Sequence, residues 1–222
     1  HDGDFKGGMN SGDQVDAIIG KGIDFDGNND YVEFGMPSDL RYTGNTLTLS
    51  GWAKFDANIA TGTTSSDMPL MVKGDAINDE KFMLGIDKGQ VLNARVTTSS
   101  GHKRINNSSI NAGTWEHYAM RYDGSTLKGY INGQEVFSQT HSGNIDNDGG
   151  DIFRIARRND GRHSEAIFDE LRISTNALPE SWLCTEYNNQ SDPSSFVTNG
   201  SVQTMTDCDS SDVFGSSLSP NR

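Results

Sequence analysis

The chain has 222 residues, 33% of them apolar, 25 glycines and a formal charge of −13. That length suits one large domain able to bury a core without disulfide staples. The acidic excess repels a phosphate backbone and an anionic bilayer, which excludes nucleic acid as a partner, and no apolar run is long enough for direct membrane insertion.

In chain order, HDGDFKGGMNSGDQVDAIIG reads as an irregular polar loop rich in carboxylates. Gly22 to Asp26 and Asp30 to Phe34 are predicted strands, split by Gly27-Asn28-Asn29. TLTLSGWAKF, Thr46 to Phe55, alternates with period two and carries β-branched residues, so it is a strand. Ala57 to Asp67 is a Thr- and Ser-rich loop. Pro69 to Lys73 is a strand, and Gly74 to Glu80 is a loop. Lys81 to Ile86 and Gln90 to Thr97 form a hairpin around Asp87-Lys88-Gly89. Ser99 to Asn111 is read as a polar loop with at most a short strand at its centre.

The stretch AGTWEHYAMRYDGSTLKGYINGQEV carries the clearest local signal. Trp115 to Tyr122 and Thr126 to Ile131 alternate around Asp123-Gly124, and Asn132-Gly133 turns the chain into Gln134 to Phe137. An Asn-Gly pair between alternating runs favours a two-residue type I′ hairpin, which needs positive φ at both central positions. HSGNIDNDGGD is a loop, and Ile152 to Arg157 and Glu165 to Ser174 are the last strands predicted before the tail. Pro179 followed by helix formers predicts one short helix, Pro179 to Asn188. An edge strand is expected near Phe196 to Met205, and Asp207 to Arg222 reads as a poorly ordered tail.

This pattern predicts an all-β, two-sheet antiparallel sandwich over residues 1–190 with one short C-terminal helix, followed by an edge strand and tail over 191–222. A jelly roll is the expected topology, although strand patterning alone does not separate it from an immunoglobulin-like sandwich. Cys184 and Cys208 have no zinc-ligand spacing; a disulfide pinning the tail is the preferred reading, the other being two free thiols. The opening His1-Asp2-Gly3-Asp4 shows no signal peptide and reads as the interior of a larger multidomain protein.

Five blocks resemble, in order and spacing, the bacterial laminin G-like domains of the concanavalin A-like lectin/glucanase superfamily. They are IDFDGNNDYVEF, LTLSGWAKF, Met71 to Asp87, Gly113 to Val136, and FDELRISTNALPESWLCTEYNN. The resemblance spans roughly residues 1–190 and implies a jelly roll and an extracellular or cell-surface setting. Trp52 and Trp115 match recurring aromatic positions and are read as core packing. Related sandwiches carry a structural calcium, and the matching oxygen donors would be Asp2, Asp4 and Asp169, with Asn10 or Asp13 adding ligands. A second acidic run, Asn144, Asp146, Asp148 and Asp151, imitates an EF-hand loop, but its twelfth position is Ile155 rather than Glu.

The same superfamily hosts glucanases, which place a carboxylate pair along one face of a strand. Glu165 and Asp169 share a face but stand roughly 13 Å apart at about 3.3 Å per residue. That exceeds both the roughly 5 Å of a retaining pair and the under about 10 Å of an inverting pair. Asp169 and Glu170 are expected on opposite faces. No other catalytic motif stands out.

Binding remains. The expectation is a non-catalytic carbohydrate-binding, lectin-like module using the loops Gly74 to Glu80, Ser99 to Asn111 and Arg157 to Ser164. His102, Arg104, Asn107, Arg158, Asp160, Arg162 and His163 would line them. Their local basic excess would suit an anionic polysaccharide. The alternatives are an adhesive, protein-binding module of a surface adhesin or pilus-associated protein, and a glycan-degrading enzyme on the same sandwich.

Overall fold

The structure is a computed structural model that describes residues 2–35, 42, 44–57, 67–74, 80–87, 89–145 and 151–196. Its strands are β1 (Asp4–Lys6), β2 (Gln14–Asp16), β3 (Lys21–Asp26), β4 (Tyr31–Glu33), β5 (Leu47–Phe55), β6 (Met68–Lys73), β7 (Phe82–Asp87), β8 (Val91–Thr98), β9 (Gly101–Ser109), β10 (Glu116–Tyr122), β11 (Thr126–Ile131), β12 (Gln134–Thr140), β13 (Phe153–Ile155) and β14 (Glu165–Ser174). Helices α1 (Glu180–Ser191) and α2 (Pro193–Phe196) follow, and a single 3-10 turn lies at Ser11–Asp13.

Among the described residues the strands form two seven-stranded antiparallel sheets. The first runs β1-β4-β13-β6-β7-β8-β9 and the second β12-β11-β10-β5-β14-β3-β2. Hairpin neighbours β6-β7-β8-β9 and β12-β11-β10 are joined to strands distant in sequence, β4-β13-β6 and β10-β5-β14-β3, the crossovers of a jelly-roll sandwich. The core lies between the sheets. Phe82, Leu84, Ile86, Leu92, Ala94, Val96 and Ile105 from the first meet Leu47, Leu49, Phe55, Tyr118, Met120, Tyr122 and Phe168 from the second. These are the alternate positions of their strands, as a period of two requires.

The Asn132-Gly133 turn has φ of +51° and +76°, as its sequence predicts. At Gly129 the missing side chain is filled by the Phe137 ring, whose Cζ would stand 2.1 Å from an added Cβ.

Three expectations change. The opening loop contains β1 and β2. The stretch read as loop between Ser99 and Asn111 is the nine-residue edge strand β9, whose full register with β8 runs from Thr98↔Gly101 to Val91↔Ser109. It escaped notice because only Ile105 and Ile110 near it are buried, so the alternation that marks a half-buried strand is absent. Phe196 ends α2 rather than starting a strand, and the rest of the expected edge strand and tail lies outside the described residues. The predicted helix is present and runs three residues further than expected, to Ser191.

Candidate functional site

The outer face of the first sheet, turned away from the core, is built from one register row. Glu33, Arg154, Val72, Met83, Arg95 and Arg104 are successive cross-strand partners on β4, β13, β6, β7, β8 and β9. Directly opposed residues project to the same face, so the row is shared. One step along, Gly85, Asn93 and Asn106 form a second row. On β8 the inward positions are Leu92, Ala94 and Val96, which leaves Asn93, Arg95 and Thr97 outward.

A buried arginine on an outer face demands partners, because an unpaired charge away from water is costly. Arg95 is 1% exposed. Its Nη2 donates to Asp67 Oδ2 at 2.5 Å, its Nη1 to Glu80 Oε1 at 3.0 Å and its Nε to Asn93 Oδ1 at 3.2 Å. Asp67 arrives just before β6 and Glu80 just before β7. The turn after β13 supplies the rest: the Arg158 amide donates to Arg162 O, and Gly161 at φ +83° closes the bend. Arg158 then contacts both Asp67 and Glu80, and Arg162 Nη1 contacts Asp67 Oδ2 at 3.0 Å and Asp160 Oδ2 at 3.2 Å. From β9, Arg104 Nη2 reaches Asp67 Oδ1 at 3.1 Å and Asp87 Oδ2 at 2.5 Å, while its Nε donates to Asn106 Oδ1 at 2.8 Å.

Asp67 is thus the hub, with Arg95, Arg104, Arg158 and Arg162 all on its carboxylate. Burial pushes its pKa up, but the charges of Arg95, Arg104 and Arg158 outweigh that and hold it below the usual carboxylate range. Burial in turn lowers the Arg158 pKa against the pull of Glu80. The centre of the network is closed to solvent and its rim is open. Arg104 is 34% exposed, Arg162 22% and Asp160 20%. The rim presents guanidinium donors beside carboxylate and amide acceptors, the pairing a sugar hydroxyl uses because it both donates and accepts.

At one margin, Thr97 donates its hydroxyl to Glu80 O at 2.7 Å. That hydroxyl has one proton, so His102 Nδ1, 3.0 Å away, is the donor to Thr97 Oγ1 and Nε2 carries the lone pair. Among the described residues, His102 Nε2 and Glu80 Oε2 are both buried without a hydrogen-bond partner. Burial holds the His102 imidazole below its ordinary value, against Glu80.

The structure therefore gathers Arg104, Arg158, Asp160 and Arg162, with His102 at the margin. Arg158 differs from expectation: at 3% exposure it is a strut rather than a ligand contact. Asn107 is exposed beyond the network and caps Ser108 N through its own side chain. His163 turns the other way, its ring 6.0 Å from Tyr31, over which Arg157 sits at 4.5 Å. Residues 75–79 of the loop Gly74 to Glu80 lie outside the described residues. Sequence reasoning missed Asp67, Glu80, Asp87, Arg95 and Asn106. The available signal was the polar outward series Asn93, Arg95, Thr97 on a strand with β8's apolar inward series.

The residues expected as calcium donors lie on separate elements. Asp2 is exposed near the chain start, and Asp4 on β1 pairs with Lys6 at 3.2 Å. Asp13 accepts from Asn10 N at 2.6 Å in a capping box. Asp169 on β14, in the other sheet, accepts from Ile19 N and Glu170 N, each at 2.8 Å. Among the described residues no group of three or more His, Cys, Asp or Glu is arranged to hold a metal ion. Of the second acidic run, Asp146 and Asp148 lie outside the described residues, and Asp151 is buried 3.8 Å from Lys81. Glu170 adopts φ +51° at a bulge between Asp169 and Arg172, which breaks the simple two-face alternation expected there.

The outer face of the second sheet is covered by α1. Trp52 Nε1 donates to Gln190 Oε1 at 2.6 Å and its ring stacks on Tyr187 at 5.6 Å. Leu183 packs on Ala119 and Tyr130. Trp52 is buried, as expected, but beneath the helix rather than between the sheets; Trp115 is half-buried. Cys184 on α1 is disulfide-bonded, and Cys208 lies outside the described residues.

The fold has many solved counterparts. Domain 4 of AbnA, a GH43 extracellular arabinanase from Geobacillus stearothermophilus in complex with arabinotriose, is 22% identical with a TM-score of 0.58 over 77% of this chain and 78% of that one. The binding domain of Paraclostridial Mosquitocidal Protein 1 is 20% identical with a TM-score of 0.64, over 85% of this chain and 47% of that one. A heptameric SAP-like pentraxin from Limulus polyphemus is 18% identical with a TM-score of 0.56, over 78% and 84%. At these identities the likeness shows the fold alone. Comparison with curated protein sequences gave no match. The sequence model of the laminin G type 3 family, described as the concanavalin A-like lectin/glucanases superfamily, matches residues 26–184, and the chain belongs to that family.

Proposed function

We propose that this domain is a non-catalytic carbohydrate-binding module that holds a saccharide at the rim of the arginine–carboxylate network on the first sheet's outer face. The observation that carries this reading is the open rim over a closed base. Arg104, Asn106, Asp160 and Arg162 offer donors and acceptors to solvent while Asp67, Arg95 and Arg158 fix them from below. Rigid placement of polar groups is what sugar hydroxyls require, since each hydrogen bond gained replaces one to water. Similar folds include a domain solved with arabinotriose, which supports a glycan as the ligand class.

Within the network no carboxylate is shown to be suited to act as the acid of a hydrolase. A glycosidase needs one carboxylic acid that keeps its proton near neutrality. Asp67 is held in the opposite sense by its arginines, and Asp169 is committed to backbone amides. An extracellular or cell-surface setting within a larger protein fits this reading.

The test is calorimetric titration of the chain with a panel of plant and bacterial oligosaccharides. Wild type binds at least one, and Arg104→Ala with Arg162→Ala weakens that binding by about tenfold or more, the effect of losing two or more hydrogen bonds to a bound hydroxyl. Binding to none of the panel, or release of reducing ends from any of it, overturns the reading.

A further inference from the structure

The basic residues here are not a free positive surface. Arg104 is shared between Asp67 and Asp87, Arg162 between Asp67 and Asp160, Arg158 among Asp67, Glu80 and Asp160, and Arg95 between Asp67 and Glu80. Each of these arginines is matched by a carboxylate of the same cluster: Asp67, Glu80, Asp87 and Asp160. Along the row, Arg154 is likewise paired with Glu33 at 2.8 Å. Lys103 lies on the other face of β9, because it is the register partner of the inward Val96.

We infer that this surface selects neutral saccharides and discriminates against sulfated and uronic-acid glycans, a refinement that rests on the glycan-binding reading above. With Arg95, Arg104, Arg158 and Arg162 each closed by a carboxylate at contact distance, the field of the cluster beyond its contacts is that of dipoles. It falls off well inside the Debye length of about 10 Å at 0.1 M salt. An anionic group placed against Arg104 or Arg162 meets Asp87 or Asp160 at nearly the same distance as the cation it seeks. The chain's charge of −13 adds a general repulsion. A neutral hydroxyl has no such conflict: it accepts from the guanidinium and donates to the neighbouring carboxylate. The selecting residues are therefore the acidic ones, Asp87 and Asp160, which turn an arginine cluster into a hydroxyl-binding surface. Negative selection of this kind works through the penalty set against the wrong ligand.

The experiment compares neutral oligosaccharides, arabinotriose among them, with sulfated-galactan and oligogalacturonate fragments of equal length. The full chain is used at about 20 mM and about 500 mM NaCl, a range over which screening removes most surface electrostatics. Wild type binds a neutral probe with an affinity that changes less than about twofold across that range, and binds the anionic probes at least about tenfold more weakly. Asp160→Asn, alone and with Asp87→Asn, raises affinity for a sulfated probe, and salt abolishes the gain. Tighter, salt-sensitive binding of an anionic probe by wild type overturns the inference and leaves glycan binding standing. Binding of no probe of either charge removes the glycan-binding reading and this refinement with it. Thermal melts of the variants confirm that each is folded, and the wild-type comparison decides independently of them.

Discussion

Asp67 concentrates more of the structure's electrostatics than any other side chain described. Removing one partner of a buried ion pair leaves uncompensated charge, at a cost of about 3–5 kcal/mol. Asp67→Ala is expected to destabilise the domain by that order in urea or thermal unfolding, since Arg95 and Arg158 have no water to turn to. The pH dependence has a definite sign. A carboxylate whose folded pKa is depressed contributes stability that is fully present above its unfolded value of about 3.9. That stability is lost as pH falls through the folded value. Stability of the wild type therefore drops with acidification below about pH 4, and Asp67→Asn gives a lower neutral-pH stability with a shallower acid limb. An unchanged acid limb would contradict the role assigned to Asp67. Gly129 is a second point of tension without charge. Gly129→Ala places a methyl group against the Phe137 ring, and overpacking of this kind costs about 1–3 kcal/mol.

Among the elements, α1 covers one sheet as the ion network covers the other. Trp52→Phe keeps the stack on Tyr187 but leaves Gln190 Oε1 without its donor. The expected loss is about 1–3 kcal/mol, the cost of a buried polar atom left unsatisfied, read in chemical denaturation. Leu183→Ala, at the apolar contact with Ala119 and Tyr130, is expected to cost about 2–5 kcal/mol. The elements also show what sequence could disclose. The hairpins of β10 to β12 were legible because alternation and the Asn132-Gly133 turn are local signals. So was α1, from Pro179 and the helix formers after it. Strand β9 was not, because this edge strand buries only Ile105 and so has no alternation to read. The site was legible only in part. Arg104, Arg158 and Arg162 stand out as a basic excess with Asp160 beside them, but the other acids that neutralise them, Asp67, Glu80 and Asp87, are supplied by other segments. Asp67 ends a Thr/Ser-rich loop and has no local pattern to mark it. Its role arises from its meeting with arginines of β8, β9 and the turn after β13, a long-range contact that a single sequence does not display. That is why a basic excess in the sequence suggested an anionic glycan, while the paired charges in the fold favour a neutral one.

For the whole molecule, the two outer faces of the sandwich are put to different uses. The second sheet is sealed by an apolar and aromatic contact with α1. The first is sealed by charge, with its hydrogen-bonding rim left open. The carboxylates Asp4, Asp13 and Asp169 serve separate local contacts on different elements. A chelator such as EDTA, with calorimetry and thermal melting, tests the calcium expectation, and with these contacts in place saccharide binding at the arginine network is expected to be unchanged by it. Loss of binding or of thermal stability on chelation would place a calcium ion in the fold. The most direct measurement of the central claim is an amide chemical-shift map of the isotopically labelled chain titrated with the tightest-binding neutral oligosaccharide. The account predicts shifts centred on β8, β9 and residues 157–164. Shifts confined to the α1 side of the sandwich, or absent throughout, would contradict it.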